Sequence, residues 1–66
     1  MVDYSPFWAT LKRKKVSTYA LIEKHHISSN IIDRIRKREY LGLRKIEDLC
    51  VILDCEITDI VRSTRE

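Results

Sequence analysis

Apolar residues recur along this 66-residue chain at spacings of three and four, which is the period of one face of an α-helix. The first apolar set is Phe7, Trp8 and Leu11, and it follows Ser5-Pro6, a pair typical of a helix N-cap and first helical position. We expect these three apolar side chains to lie in the core. This first helix should end within the basic run at residues 12–15.

Two short helices are predicted around a tight corner in the middle of the chain. Ser17 and Ser28 each suit an N-cap, because a serine hydroxyl can accept a hydrogen bond from an unpaired amide of the opening turn. Only residues 25–27 remain between the two helices, so the chain must turn there with Ile27 buried as the pivot. The other apolar residues predicted to face inward are Leu21, Ile22, Ile32 and Ile35.

Two more helices are predicted in the C-terminal third, after a loop at residues 37–42. The apolar residues of the fourth helix are Leu43, Ile46, Leu49, Cys50 and Leu53. A last short helix should run from about Ile57 to Arg62, with Ile57, Ile60 and Val61 inward and Thr58, Asp59 and Arg62 outward. The chain contains one Gly and one Pro, and no segment alternates cleanly between apolar and polar residues. This composition and this pattern disfavour β-hairpins. We therefore expect an all-α, five-helix domain that covers residues 1–66.

Length and composition narrow the function classes. A chain of 66 residues is near the lower limit for one self-supporting core, which leaves no room for an enzyme cleft. It contains no Ser-His-Asp constellation, phosphate-binding glycine loop or carboxylate pair, so we expect neither catalysis nor a cofactor. It also lacks a long apolar run and a secretory signal, so the expected location is the cytoplasm, away from membranes.

Charge is distributed unevenly along the chain. From Lys12 to Lys45, eleven Lys and Arg against three acidic residues give +8, whereas from Ile46 to Glu66 two basic and six acidic residues give −4. The basic segment contains the two helices of the corner. Lys and Arg that neutralise DNA phosphates release counterions and so contribute much of the sequence-independent affinity. A charged segment can also be merely a solvated surface, but its coincidence with the corner favours DNA.

Together these features resemble Cro/repressor-type helix-turn-helix transcriptional regulators, the phage-repressor-like or XRE family. The residues that carry the resemblance are Leu21, Ile27-Ser28, the pair Ile32 and Ile35, Arg36-Lys37, and the region from Leu49 to Cys55. Two positions depart from the family pattern. Members commonly have a small residue where this chain has Ile22, and a glycine where it has His26. The glycine is favoured because the corner often needs a positive φ, which histidine tolerates better than a β-branched residue does.

The resemblance implies that the helix after the turn lies in the major groove of duplex DNA. The candidate base contacts are Ser28, Ser29, Asn30, Ile31, Asp33 and Arg34. Asn30 suits a bidentate pair with adenine, Arg34 suits one with guanine, and Ile31 can touch a thymine methyl if it points outward. Two alternatives remain open: Ile31 belongs to the core, and Arg34 pairs with Asp33 or Glu39 or lies in solvent.

Contacts with the DNA backbone and with a second subunit are expected to lie around the reading helix. Free amides at a helix N-terminus and nearby cations favour phosphate. The candidate phosphate contacts are Ser17, Thr18, Lys37, Arg38, Tyr40, Arg44 and Lys45. The resemblance also implies a two-fold homodimer, at least on DNA, with candidate interface residues Ile57, Val61 and Arg62. A monomer that pairs only on DNA is equally compatible.

His25, His26, Cys50 and Cys55 are residue types that bind zinc, but their spacing matches none of the usual structural zinc signatures. We expect no metal and no small-molecule ligand, and we interpret both cysteines as small buried thiols. The predicted function is a small transcriptional regulator, acting as a repressor. The alternative is a protein-interaction module, such as an antitoxin or adaptor, whose helical surface binds a partner protein.

Overall fold

The structure is a computed structural model that describes residues 2–63. Its elements in chain order are β1 (Val2–Asp3), α1 (Ser5–Lys14), α2 (Thr18–His25), α3 (Ser29–Arg36), α4 (Leu43–Leu53), a 3₁₀ turn (Ile57–Asp59) and β2 (Arg62–Ser63). The four predicted α-helices up to Leu53 are therefore present. No helix in residues 2–63 is long and apolar enough to cross a membrane.

The start of α1 differs from the sequence prediction, because Tyr4 rather than Ser5 is the N-cap residue. The carboxylate of Asp3 satisfies the first turn: its Oδ1 accepts hydrogen bonds from the Ser5 amide at 2.9 Å and the Ser5 hydroxyl at 2.6 Å. Ser5 is thus a donor inside the helix instead of a capping acceptor. Pro6 still lies in the first turn, where its missing N–H costs no hydrogen bond.

The buried face of α1 consists of Phe7, Thr10 and Leu11. The expectation that Trp8 lies in the core is wrong, since Trp8 is 36% exposed and packs edge-on against Phe7 with ring centroids 5.0 Å apart. Thr10 takes the inward position instead. Its hydroxyl donates to the backbone carbonyl of Asp59 at 2.7 Å, so the buried oxygen is satisfied and α1 is joined to the 3₁₀ turn.

The inward face of α4 is narrower than predicted. Ile46, Leu49 and Leu53 are buried, and Cys50 packs partly against them. Leu43 is 61% exposed, so its assignment to the apolar face was wrong. Leu43 is the first residue of the helix, directly after the N-cap Gly42.

The C-terminal segment corrects the prediction of a fifth helix. After the 3₁₀ turn, Arg62–Ser63 form a strand that pairs antiparallel with Val2–Asp3, in the register Val2 with Ser63 and Asp3 with Arg62. The predicted all-α class therefore holds only in part, because the mostly helical fold includes this short strand pair. Ile60 is fully buried and Val61 half-buried as expected, but Ile57 points outward and is 42% exposed.

One hydrophobic core joins β1, the four α-helices and Ile60. Its buried members are Val2, Tyr4, Phe7, Leu11, Leu21, Ile27, Ile32, Ile35, Ile46, Leu49, Leu53 and Ile60. Tyr4 also crosses to the loop after α3, where its hydroxyl donates to the carbonyl of Glu39 at 2.6 Å. The N-terminal strand is thereby fixed to both the C-terminal strand and this loop.

Candidate nucleic-acid interface

The corner between α2 and α3 has the geometry that the sequence predicts. The Ser17 hydroxyl caps α2 by accepting from the Ala20 amide at 3.0 Å. His26 ends the helix in the left-handed region, at φ 58°, and the next amide, that of Ile27, donates to the Leu21 carbonyl at 3.1 Å. Ile27 is buried as the pivot. Positive φ at this position is therefore confirmed, with histidine in the role usually suited to glycine.

The second helix of the corner, α3, presents a polar outer face. The Ser28 hydroxyl caps it by accepting from the Asn30 amide at 3.1 Å. Ile32 and Ile35 are each only 1% exposed, so they fix the helix to the core. The exposed residues on the outer side of its first turns are Ser29, Asn30, Asp33 and Arg34. Together with the cap residue Ser28, five of the six predicted base-contact residues are thus exposed.

Ile31 lies between these two faces. It is half-buried, packs against the core and lines a groove between the corner and α4 together with Ser28 and Ile52. Much of the Ile31 side chain therefore belongs to the core, which is one of the two alternatives left open by the sequence. Only its exposed remainder is available for contact at the edge of α3.

An ion pair on α3 distinguishes its charged residues. Lys37 Nζ lies 3.2 Å from Asp33 Oδ2, one helical turn away, and both side chains are exposed. Within residues 2–63, the guanidinium of Arg34 forms neither a salt bridge nor a hydrogen bond with another side chain. The Arg34 side chain is exposed, and among the described residues no other side chain pairs with it.

The predicted phosphate contacts lie on three different segments. Ser17 and Thr18 open α2, where Ser17 is exposed and Thr18 half-buried. In the loop after α3, Tyr40 is 72% exposed, and Arg38 has φ 60° with its Nε donating to the Val2 carbonyl at 3.4 Å. The remaining candidates are exposed: Lys37 at the end of α3, and Arg44 and Lys45 in the first turn of α4.

Sequence reasoning missed a backbone feature at the start of α4. Gly42 is the N-cap and supplies no side-chain acceptor, so the amides of the opening turn lack a side-chain cap. Those amides stand beside Arg44 and Lys45. A helix N-terminus with adjacent cations favours an anion. The single glycine of the chain, placed before an amphipathic segment, was the available signal.

The candidate dimer residues do not form one uniform surface. Ile57 projects from the 3₁₀ turn, whereas Val61 packs partly against the core. The guanidinium of Arg62 is engaged within the protomer, since its Nη2 and Nε donate to Asp3 Oδ2 at 2.6 and 3.1 Å. Together with the Ser5 hydroxyl and amide, this arginine holds the pKa of Asp3 well below its usual range.

Within residues 2–63, no group of three or more His, Cys, Asp or Glu side chains is arranged to hold a metal ion. Cys50 and Cys55 are half-buried free thiols, and burial raises the pKa of both, that of Cys55 to about 11. Neutral thiols bind metal ions poorly and react slowly.

Comparison with known proteins agrees with this geometry. A family model described as the Cro/C1-type helix-turn-helix DNA-binding domain matches residues 7–64. The fold is similar to the crystal structure of the transcriptional regulator VanUg, with a TM-score of 0.87 and 25% sequence identity, over 98% of this chain and 87% of that one. Comparison with curated protein sequences gives no match. The chain belongs to the family of proteins with a Cro/C1-type helix-turn-helix DNA-binding domain.

Proposed function

We propose that this protein binds duplex DNA sequence-specifically as a small transcriptional regulator, with α3 in the major groove. The observation that carries the proposal is the outer face of α3, which is polar and exposed while Ile32 and Ile35 anchor its inner face. A helix held in this way presents its N-terminal residues to base edges without needing to reorganise. Membership of a DNA-binding family supports the same role.

Within this face we assign direct reading of bases first to Asn30 and Arg34. Asn30 has the donor and acceptor that match adenine. The guanidinium of Arg34, which has no side-chain partner within residues 2–63, matches the two acceptors of guanine. Ser28 keeps a hydroxyl proton after capping α3, and Ser29 adds a second hydroxyl. Ile31 contributes only the exposed part of its side chain, which suits a thymine methyl.

Phosphate contacts are proposed on both sides of α3. The opening turn of α2, at Ser17 and Thr18, supplies one set. The second set follows α3 and extends into α4, where the uncapped amides after Gly42 reinforce the cations. Its members are Lys37, Arg38, Tyr40, Arg44 and Lys45.

We propose repression as the mode of regulation, because a bound domain excludes polymerase from the same promoter DNA by occupancy alone. Transcription in vitro from the promoter upstream of the gene tests this. The transcript should fall as the protein saturates its site. An increase in transcript would contradict repression while leaving DNA binding intact.

The primary experiment is fluorescence anisotropy with two labelled duplexes, the DNA upstream of the gene and a scrambled duplex, at several salt concentrations. Arg34→Ala should lose about 5- to 150-fold in preference for the upstream duplex, which corresponds to about 1–3 kcal/mol of base discrimination. Lys37→Ala should weaken both duplexes alike and lower the salt slope by up to about one unit, since Asp33 already offsets part of its charge.

Arg13→Ala is the matched control for these charge losses. Arg13 lies on α1, with its guanidinium 4.0 Å from the carboxylate of Asp59 in the acidic C-terminal part of the chain. Its removal should leave both affinities within about twofold. If the wild-type protein bound neither duplex at low salt, the DNA proposal would fail and the search would turn to a protein partner, as for an antitoxin or adaptor.

A two-fold homodimer, at least on DNA, is proposed through Ile57, Val61 and Arg62. Ile57 supports it, because this apolar side chain is exposed and its backbone carbonyl accepts from the Val61 amide at 3.1 Å. Arg62 already contributes to the strand pair, so its substitution would also disturb the protomer. Ile57 is therefore the better position to test.

Sedimentation and binding to a duplex with two half-sites test the dimer. Ile57→Glu should abolish association and weaken binding to the two-site duplex by about tenfold or more, while leaving a single half-site unaffected. Val51→Glu is the control, since Val51 is also apolar and is 80% exposed on α4. Equal effects of the two substitutions would remove Ile57 from the interface.

A further inference from the structure

We propose that Cys50 and Cys55 form a reversible dithiol–disulfide pair that reacts with small disulfides such as oxidised glutathione. They are the two cysteines of the chain, and both are free thiols in the structure. The proposal concerns the C-terminal end of α4. It does not depend on DNA binding.

The backbone at this end of α4 brings the two residues together. In a continuous helix, residues five apart are separated by about 7.5 Å along the axis and point in different directions. Here Asp54 adopts the left-handed region at φ 52° and reverses the chain. The Cys55 amide consequently donates to the Cys50 carbonyl at 3.0 Å. This is the 6→1 hydrogen bond of a helix ending in which the two joined positions commonly touch, and a disulfide requires such close approach.

The side chains follow the backbone. A helix ending of this type commonly places the side chain after the reversal against the one a turn earlier. Cys50 and Cys55 both pack on the edge of the core and both remain partly accessible. The neighbouring thiol is among the groups that shift the pKa of each cysteine, after burial, which is the largest cause.

The reaction consists of two thiol–disulfide exchanges. One cysteine loses its proton, and its thiolate attacks a sulfur of oxidised glutathione and releases one glutathione thiolate, which takes up a proton. The second cysteine, as thiolate, then attacks the mixed disulfide and releases the other glutathione. The protein thus loses two electrons and two protons, and one oxidised glutathione becomes two reduced molecules.

The surroundings of the pair set its rate. Burial is the main cause of the raised pKa of both thiols, so little thiolate is present at neutral pH. The rate should therefore rise about tenfold for each pH unit between about 7 and 9. The charged groups that act on the pair are the carboxylates of Glu47, Glu56 and Asp59, which raise the thiol pKa values, and the ammonium of Lys14, which lowers that of Cys55.

Redox titration of the full chain tests the proposal. The protein is equilibrated at pH 8 in buffers of reduced and oxidised glutathione, free thiols are alkylated, and the intact mass is measured. The expected product is a monomer that has lost two hydrogen atoms and takes up no alkylating reagent. Circular dichroism should show that it remains folded. Cys50→Ser and Cys55→Ser are the matched controls, and each should give only a glutathione adduct.

The same titration in denaturant measures how much the fold favours formation of the disulfide. The equilibrium constant for closing the disulfide should be at least about tenfold larger in the folded chain, because the turn at Asp54 already holds the residues together. A folded protein that gave only glutathione adducts, intermolecular disulfides or two free thiols would overturn the proposal. So would an equilibrium constant no larger than in denaturant.

Discussion

Replacing His26 with glycine should stabilise the domain. His26 ends α2 at φ 58°, a region that costs a residue with a side chain about 1–2 kcal/mol. Glycine adopts this region without the steric cost but loses about 0.5–1 kcal/mol more backbone entropy on folding. The His26 side chain is exposed, so little packing is lost. The expected net gain in the free energy of unfolding is about 0.5–1 kcal/mol.

Thermal and urea unfolding, followed by circular dichroism, measure this gain. For a domain of this size it should raise Tm by about 2–8 °C. His25→Gly is the matched control, because His25 is the last residue inside α2 and glycine there should cost about 0.5–1 kcal/mol. If His26→Gly lowered Tm, or if both variants changed it in the same direction, the backbone at the corner would not carry the strain inferred from its φ.

Two further predictions concern the N-terminal strand. Tyr4→Phe keeps the buried ring but removes the donor to the Glu39 carbonyl, so it should cost about 0.5–1.5 kcal/mol of stability in urea unfolding. An unchanged midpoint would contradict this contribution. The pKa of Asp3 is depressed by Ser5 and Arg62, so its stabilisation is complete above the unfolded value of 3.8 and is lost as pH falls below it. Asp3→Asn should therefore flatten the acid side of a plot of Tm against pH. If the plots of the variant and of the wild-type protein ran parallel, Asp3 would not contribute to the pH dependence of stability.

The corner of the helix-turn-helix was predictable because its determinants are local. Ser17 and Ser28 cap the helices they precede, and Ile27 is buried between them. Each of these depends on residues within one or two turns of the chain. Periodicity and capping rules describe interactions of this range well.

The errors arose where distant residues decide the local structure. The strand at Arg62 exists because it pairs with Val2–Asp3 at the other end of the chain, and strands of two residues carry no periodic signal. Thr10 is buried because it can donate to the carbonyl of Asp59, which leaves Trp8 at the surface. The pairing of Asp33 with Lys37 likewise depends on side-chain geometry, which periodicity does not describe.

The N-terminal strand links the regions on which the proposed function depends. Tyr4 and Arg38 fasten the loop after α3 to this strand, and Asp3 fastens the same strand to Arg62. The proposed phosphate-contact loop and the proposed dimer segment therefore share one support. Ordering the loop before binding reduces the entropy that DNA binding must overcome. Substitution of residues that do not contact DNA, above all Tyr4, should for this reason change the affinity of the protein for DNA. It should not change the salt dependence of binding, which the phosphate contacts set.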